Sequence, residues 1–315
     1  MALHLITGGA GFIGSHITAR TLRDGHRARV LDNLSTGRRD NIDLLRAAGG
    51  DRFEYLEGDI RDRDTCLRAC KGVEFVFHQA ALASVQRSIE NPGDTTAVNV
   101  VGTVNVFSAA REQGARRVVC ASSSSVYGDT PTLPKHEEMP LAPLSPYAAS
   151  KAAGEQFARV FAQTLGLETV SLRYFNVFGP RQDPTSQYAA VIPLFIEALL
   201  QGRRPVVFGD GRQSRDFTYI DNVVEANLQA AASQGASGEA VNVACGERYS
   251  LLELLDALGE IVGRKADPEH RPPRVGDVLH SQASIDKARR LLGFKPGIGF
   301  KEGLRHTVEH FRSGH

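Results

Sequence analysis

The opening stretch of this chain constrains its fold more than any other. Leu3-His4-Leu5-Ile6-Thr7 reads as a short apolar strand that runs straight into Gly8-Gly9-Ala10-Gly11-Phe12-Ile13-Gly14. A helical segment follows to about Gly25, and a second strand, Ala28 to Leu31, ends at Asp32. Strand, glycine turn, helix, strand and acid, in that order, are what a dinucleotide site requires. Gly8 and Gly11 allow a tight turn and close approach of a pyrophosphate to backbone N–H groups. Gly14 lets the helix pack against the sheet, and the helix N-terminus faces the phosphates. Asp32 can accept hydrogen bonds from ribose hydroxyls, which favours NAD over NADP. Arg38 and Arg39 are the counter-signal for a 2′-phosphate, and we read them as a solvated loop pair.

Strands and helices alternate through the rest of the first half. Phe53-Glu54-Tyr55-Leu56 leads to Asp59-Ile60, and Glu74-Phe75-Val76-Phe77-His78 leads to Gln79-Ala80-Ala81. A long helix is expected over about Thr95 to Gln113. Arg117 to Ala121 and Thr169 to Arg173 are further strands, with a helix from Tyr147 to about Leu165 between them. Alternation of this kind predicts an α/β fold, a doubly wound parallel sheet with ligands outside the carboxyl ends of its strands. Gly8 to Gly14, Asp32, Asp59, Ala80-Ala81, Ser122 to Ser125 and Tyr174 all fall at such ends. Beyond Arg173 the pattern loosens. Asn176 to Ala190 is loop-like, Val191 to Gln201 a helix, Val241 to Ala244 a strand, Ser250 to Val262 a helix and Pro268 to Pro273 a stiff polar connector. The expected division is a dinucleotide-binding domain over 1–175 with a returning segment about 216–245. A smaller α+β substrate-binding domain takes 176–215 and 246–315.

Composition excludes several classes. Lys+Arg 37 against Asp+Glu 36 leaves a net charge of +1 in 315 residues, which supports neither nucleic-acid nor polybasic membrane binding. No run approaches the ~18 apolar residues of a spanning helix, and the glycine turn at the start does not resemble a signal peptide. Cys66, Cys70, Cys120 and Cys245 have neither zinc nor redox spacing, so four free thiols in a reducing cytoplasm are expected, with no metal.

Tyr147-Ala148-Ala149-Ser150-Lys151 carries the chemistry. The four-residue spacing puts Tyr147 and Lys151 on one helix face. Ser145-Pro146 reads as an N-cap and an N1 proline, which places Tyr147 in the first turn. A tyrosine has a pKa near ~10 and is a poor base at neutral pH, but a nearby ammonium and the helix dipole both favour the phenolate. The bland alternative is a surface helix with a chance Tyr/Lys pair.

Together these motifs resemble one family, the extended short-chain dehydrogenase/reductases that act on nucleotide sugars. The resemblance spans essentially the whole chain. It is carried by Gly8 to Gly14, His78-Gln79-Ala80-Ala81, Ser122 to Gly128, Tyr147 to Lys151, Arg173 to Pro180, Arg215-Asp216 and Arg274 to Asp277. Within the family the chain looks most like the nucleoside-diphosphate-hexose 4-epimerases of the UDP-N-acetylglucosamine type, a placement that Ser84 to Ile89 and Arg181 to Pro184 support. The dehydratases and decarboxylases of the family carry acids before their Val-Tyr-Gly segment. This chain has Ser124 and Ser125, which leaves oxidation and reduction at carbon 4.

The resemblance implies NAD as cofactor and a UDP-sugar as substrate. It implies catalytic roles for Tyr147 as base, Ser123 and Ser124 as hydroxyls orienting the proton transfer, and Lys151 as the group that binds the nicotinamide ribose and keeps the Tyr147 pKa low. It implies cofactor contacts from Gly8, Gly11, Phe12, Ile13, Gly14, Asp32, Asn33, Ser35, Gly37, Asp59, Ile60, Gln79, Ala80, Ala81, Asn99, Ser122 and Tyr174. Substrate contacts are expected from Ser84, Ser123, Ser124, Tyr147, Asn176, Ala190, Val191, Val206, Phe208, Arg215, Arg274, Asp277 and Ser281, with Arg215 and Arg274 on the diphosphate and Asp277 on the ribose. A structural salt bridge with Asp216 or Asp277 is the other reading of those arginines. Ser281 borders the sugar pocket in the family, where a tyrosine goes with enzymes confined to non-acetylated hexoses. Two departures stand out: Ala190 where some epimerases have Asn, which removes a polar substrate contact and leaves sugar preference open, and Ala83 where some have Lys. A UDP-glucuronate 4-epimerase and a strict UDP-glucose 4-epimerase stay open, as does a non-catalytic dinucleotide sensor. A homodimer is expected through the helices at Thr95–Gln113 and Tyr147–Leu165.

Overall fold

A computed structural model describes residues 1–183, 190–273 and 279–314. Six strands run in order through the first half: β1 Leu3–Thr7, β2 Arg27–Asp32, β3 Phe53–Glu57, β4 Phe75–His78, β5 Arg117–Ser123 and β6 Glu168–Tyr174. Between them lie α1 Phe12–Arg23, α2 Arg39–Gly49, α3 Arg63–Cys70, α4 Val85–Glu90, α5 Pro92–Thr96, α6 Thr103–Glu112 and α7 Pro146–Gln163. The second half adds the strands β7 Val177–Phe178, β8 Val206–Phe208, β9 Ser214–Arg215, β10 Thr218–Tyr219, β11 Glu239–Val243, β12 Tyr249–Ser250 and β13 Glu269–Arg271. Its helices are α8 Val191–Leu200, α9 Ile220–Ala232, α10 Leu251–Val262, α11 Asp286–Leu292 and α12 Phe300–Arg312.

Seven strands form one parallel sheet in the order β11-β6-β5-β4-β1-β2-β3. Order reverses between β1 and β4, which opens a crevice at the carboxyl ends there. The sheet is covered on both faces, so neighbouring residues of one strand are both apolar. Ile6, Val30, Phe77 and Val119 enter one core cluster, while Leu5, Leu31, Val76 and Val118 enter the other. Continuous apolar strands are thus the sequence signature of this architecture, a doubly wound Rossmann-like α/β fold. No described helix is long and apolar enough to cross a membrane.

Several elements differ from expectation. The helix expected over Thr95–Gln113 begins at Pro92 and passes through a π-helical stretch, Ala97–Gly102, before α6. There the buried Asn99 amide turns onto the Leu82 backbone, accepting from Leu82 N at 2.8 Å and donating to Leu82 O at 3.1 Å. The polar connector at Pro268–Pro273 contains β13, which pairs in parallel with β8. Its residues, Glu269-His270-Arg271, have no apolar periodicity because backbone pairing alone holds this edge. Helices α9, α11 and α12 were not legible in the pattern. The Ser145 cap is as expected: its hydroxyl accepts from Ala148 N at 3.1 Å, with Pro146 opening α7.

Two buried histidines, His4 and His78, and the half-buried His16 sit where the charged ring is disfavoured, which predicts an acid-sensitive fold. His4 is stacked on His26 and edge-on to Phe75 and Phe77, and neither of its ring nitrogens has a hydrogen-bond partner. Burial lowers its pKa from 6.5 to about 4. Burial also brings His16 and His78 to about 3, with the cations Arg181 and Lys151 adding to the effect. The unfolded chain therefore binds these protons first as pH falls. The stability contributed is full above pH 6.5 and is lost as pH drops towards the folded values. Each pH unit of that difference is worth about 1.4 kcal/mol per histidine. Denaturant midpoints should fall steeply from pH 6.5 to pH 5; His4→Phe should flatten the slope, and an unaltered slope in that variant would refute the assignment to His4.

Candidate active site

A cleft of about 360 Å³ lies at the carboxyl ends of the sheet strands, lined by Gly8, Asp32, Asp59, Gln79, Ser122, Lys151 and Tyr174 among others. Local structure explains why glycines form its floor. Gly8 has φ +70°, and a Cβ there would fall 2.7 Å from Ala80 N. A Cβ on Gly14 would fall 2.2 Å from the Gly8 carbonyl oxygen, so Gly14 packs α1 on the glycine turn itself rather than on the sheet. Gly11 has only the Gly8 carbonyl nearby, at 3.2 Å, and no side chain caps α1. The first N–H groups of that helix therefore face the cleft as ready anion donors. These features fit a dinucleotide pyrophosphate.

Asp32 ends β2 with its carboxylate at the cleft. Its oxygens accept from Ala10 N at 3.0 Å and Leu34 N at 2.8 Å. Burial raises its pKa and the two backbone donors oppose that rise. Asn33 donates to Asp59 at 2.8 Å, which joins the ends of β2 and β3. Phe12, Ile13, Ser35, Ile60, Ala80 and Ala81 also line the cleft. Gln79 and Tyr174 meet there through Tyr174 Oη donating to Gln79 Oε1 at 3.2 Å, with Asn227 of α9 bonded to both.

Three expected cofactor residues have structural partners within the chain. Gly37 does not line the cleft; a Cβ there would press on the Asp32 carboxylate at 2.9 Å, so it makes room for that acid. Asn99 is likewise set back, holding Leu82 and Ser150. Ser122 reaches the cleft, but its hydroxyl donates to Glu155 at 2.5 Å. Sequence reasoning missed Arg61, Leu82, Ala83, Arg87, Asp94 and Val98 in the cleft lining. The two arginines and Asp94 read as ordinary surface charges until the chain folds.

Tyr147 and Lys151 share a wall of this cleft. The Tyr147 phenol is hydrogen-bonded to Ser123, whose Oγ also accepts from Ser125 N at 3.2 Å. Lys151 Nζ lies 6.0 Å from the Tyr147 ring centre and donates to Ala121 O at 2.9 Å. Burial pushes the Tyr147 phenol up, and Ser123, not Lys151, opposes it. Burial also lowers Lys151 to about 8, with Cys120 and Glu155 pulling the other way. Ser124 lines neither cleft and sits half-buried in the 3₁₀ turn Ser124–Tyr127; the hydroxyl that reaches Ser123 is that of Ser125, at 2.9 Å.

A second cleft of about 280 Å³ is lined by Asn176, Ala190, Val191, Val206, Phe208 and Arg215, six of the residues named above as substrate contacts. Its walls are otherwise apolar, with Phe178, Phe195, Phe217 and Leu251, and Gln213 adds an amide. Apolar wall residues carry no chemical signature in a sequence, which is why they were missed. Asn176 has φ 33° and donates to Asp216 O at 3.1 Å and to Ser281 Oγ at 3.2 Å. The Asp216 carboxylate accepts from the backbone of Cys245, Gly246 and Ala283. Arg215 donates to Leu279 O at 3.2 Å. Ser281 is 8% exposed and stands behind Asn176 instead of lining the cleft. Ser84 caps α4 by accepting from Arg87 N at 3.0 Å and lines neither cleft. Arg274 and Asp277 lie outside the described residues. Among the described residues no group of His, Cys, Asp and Glu could hold a metal ion.

Comparisons with known proteins identify the family. The model of the NAD dependent epimerase/dehydratase family matches residues 4–244. A UDP-glucose 4-epimerase of Mycolicibacterium smegmatis is 44% identical over 98% of each chain. A UDP-N-acetylglucosamine 4-epimerase of Methanobrevibacter ruminantium, solved with UDP-N-acetylmuramic acid, is 39% identical with a TM-score of 0.94, covering 100% of this chain and 99% of that one. A UDP-glucuronic acid 4-epimerase of Bacillus cereus, solved with NAD and a fluorinated UDP-sugar, is 28% identical with a TM-score of 0.92 over 99% and 100% of the two chains. The chain belongs to the NAD-dependent epimerase/dehydratase family and is an NAD-dependent UDP-sugar 4-epimerase, an isomerase.

Proposed function

We propose that this enzyme interconverts UDP-N-acetylglucosamine and UDP-N-acetylgalactosamine, and acts on the UDP-glucose pair as a lesser substrate. The observation that carries the reading is the small, buried Ser281 bonded to Asn176 at the wall of the second cleft. A 4-keto sugar that turns over sweeps its 2-substituent through the pocket, and an N-acetyl group needs free volume on both sides of that turn. A serine behind Asn176 leaves Asn176 in place, whereas a tyrosine would drive it into the cleft. Similarity to the Methanobrevibacter enzyme supports the same choice.

Tyr147 takes the proton from the sugar 4-hydroxyl, Ser123 orienting the phenol, and returns it when the opposite epimer forms. NAD held by the glycine turn and Asp32 would supply the hydride acceptor and donor for carbon 4. Lys151 binds the nicotinamide ribose from its place beside Tyr147. Asn176 and Arg215 hold the diphosphate, with Arg274 on the same group and Asp277 on the ribose. The anchored nucleotide leaves the sugar free to rotate. In this reading residues 1–175 with 216–245 hold the cofactor and the remainder holds the substrate. Exposed apolar side chains on one set of helices, Val85, Ile89, Val101, Phe157 and Val160, suit the face of a homodimer.

The test is turnover of UDP-N-acetylglucosamine, UDP-glucose and UDP-glucuronate by purified protein with no added cofactor. The N-acetylated sugar should turn over fastest. Ser281→Tyr should depress that activity more than activity on UDP-glucose. Wild-type turnover confined to the non-acetylated pair would sink the proposal. Asp32→Ala should lower NAD affinity by at least roughly tenfold, the loss expected for hydrogen bonds to a charged group. Unchanged affinity by calorimetry would place the ribose elsewhere.

A further inference from the structure

A helix N-terminus can hold a dinucleotide pyrophosphate, and a guanidinium beside it would strengthen the hold by paired charge-assisted contacts. Three cations line the cofactor cleft among the described residues, Arg61, Arg87 and Lys151, and they are not equally available. Lys151 is committed to Ala121 O beside Tyr147. Arg61 is pinned to Asp59, its backbone N and Nε reaching one carboxylate oxygen at 2.8 and 3.1 Å and an Nη the other at 2.7 Å. Arg87 has one ion-pair partner among the described residues, Asp94, at 3.4 Å. That carboxylate is already held by Arg61 at 3.2 Å through its other oxygen. The Arg87 side chain is 37% exposed and Asp94 27%, so the pair is weak.

Position points the same way. Arg87 lies in the first turn of α4, which grows out of the segment after β4. That segment abuts the glycine turn, since a Cβ on Gly8 would touch Ala80 N. We propose that Arg87 is a ligand of the cofactor pyrophosphate and that Asp94 parks its guanidinium at the cleft until the dinucleotide binds. The proposal rests on the NAD reading and adds to it a residue that neither the glycine turn nor Asp32 requires. A pyrophosphate outcompetes a shared carboxylate because it carries more charge and offers paired oxygens to the guanidinium fork. Asp94 keeps Arg61 when Arg87 leaves, so its charge is not stranded.

Retention of NAD by the purified holoenzyme tests this without recourse to turnover. Protein is desalted, sampled over time, denatured, and its remaining NAD measured by chromatography. R87Q should release NAD roughly tenfold faster or more, the loss of a charge-assisted contact. Release from wild type should accelerate with salt more steeply than release from R87Q. R87K, a point charge without the fork, should fall between them, and it carries the test if R87Q folds poorly. D94N should hold NAD at least as long as wild type. Equal retention in R87Q and wild type would overturn the proposal. So would D94N shedding NAD as fast as R87Q, because the intact ion pair would then be what matters. Wild type that carries no NAD at all would instead sink the NAD reading itself.

Discussion

Tyr147→Phe should cut kcat by at least ~10²–10⁴-fold, the range for loss of a placed acid–base group, while calorimetry shows nucleotide-sugar binding nearly intact. The phenol is the group hydrogen-bonded to Ser123 at the cleft wall, and phenylalanine keeps its shape while removing only the proton carrier. Ser123→Ala should cost less, because Ser125 already bonds the same point and can move in. Near-normal turnover in Tyr147→Phe would end this mechanism.

The second large effect is on stability. Glu155 and Arg173 form an ion pair whose side chains are 4% and 5% exposed, with Nε and an Nη of Arg173 reaching the two carboxylate oxygens at 2.9 and 2.7 Å. The remaining valences are satisfied as well: Ser122 donates to Glu155, and Arg173 donates to Tyr127, which donates to Asn242. Glu155→Ala leaves a buried guanidinium unpaired and should cost about 3–5 kcal/mol. Replacing both partners together, Glu155→Met with Arg173→Met, should cost less than the single change. Urea denaturation decides it, and a loss below about 1 kcal/mol for Glu155→Ala would show that water or another group compensates. Because Ser122 and Ser123 sit side by side at the end of β5, the single variant should also disturb the phenol's partner.

Local pattern was enough for the glycine turn, Asp32, the parallel sheet and the Ser145-capped helix that displays Tyr147 and Lys151. Each depends on interactions within a few residues or on a strand's need to bury both faces, and such needs are written in consecutive positions. The apolar walls of the second cleft, the strand at Glu269–Arg271 and the helix α9 that brings Asn227 to Tyr174 were not legible, because their partners are distant in the chain. The roles of individual polar groups were decided at the same level. Ser122 is diverted to Glu155, Asn99 to Leu82 and Ser281 to Asn176 by neighbours 33, 17 and 105 residues away. By itself the sequence determined the fold class, the cofactor and the chemistry at carbon 4. Tertiary structure alone decided that burial raises the Tyr147 phenol and that Arg87 and Arg61 share Asp94 at the cofactor cleft. The physical reason is that hydrogen bonds and desolvation depend on distances in space, and folding sets those distances between segments that no local pattern connects.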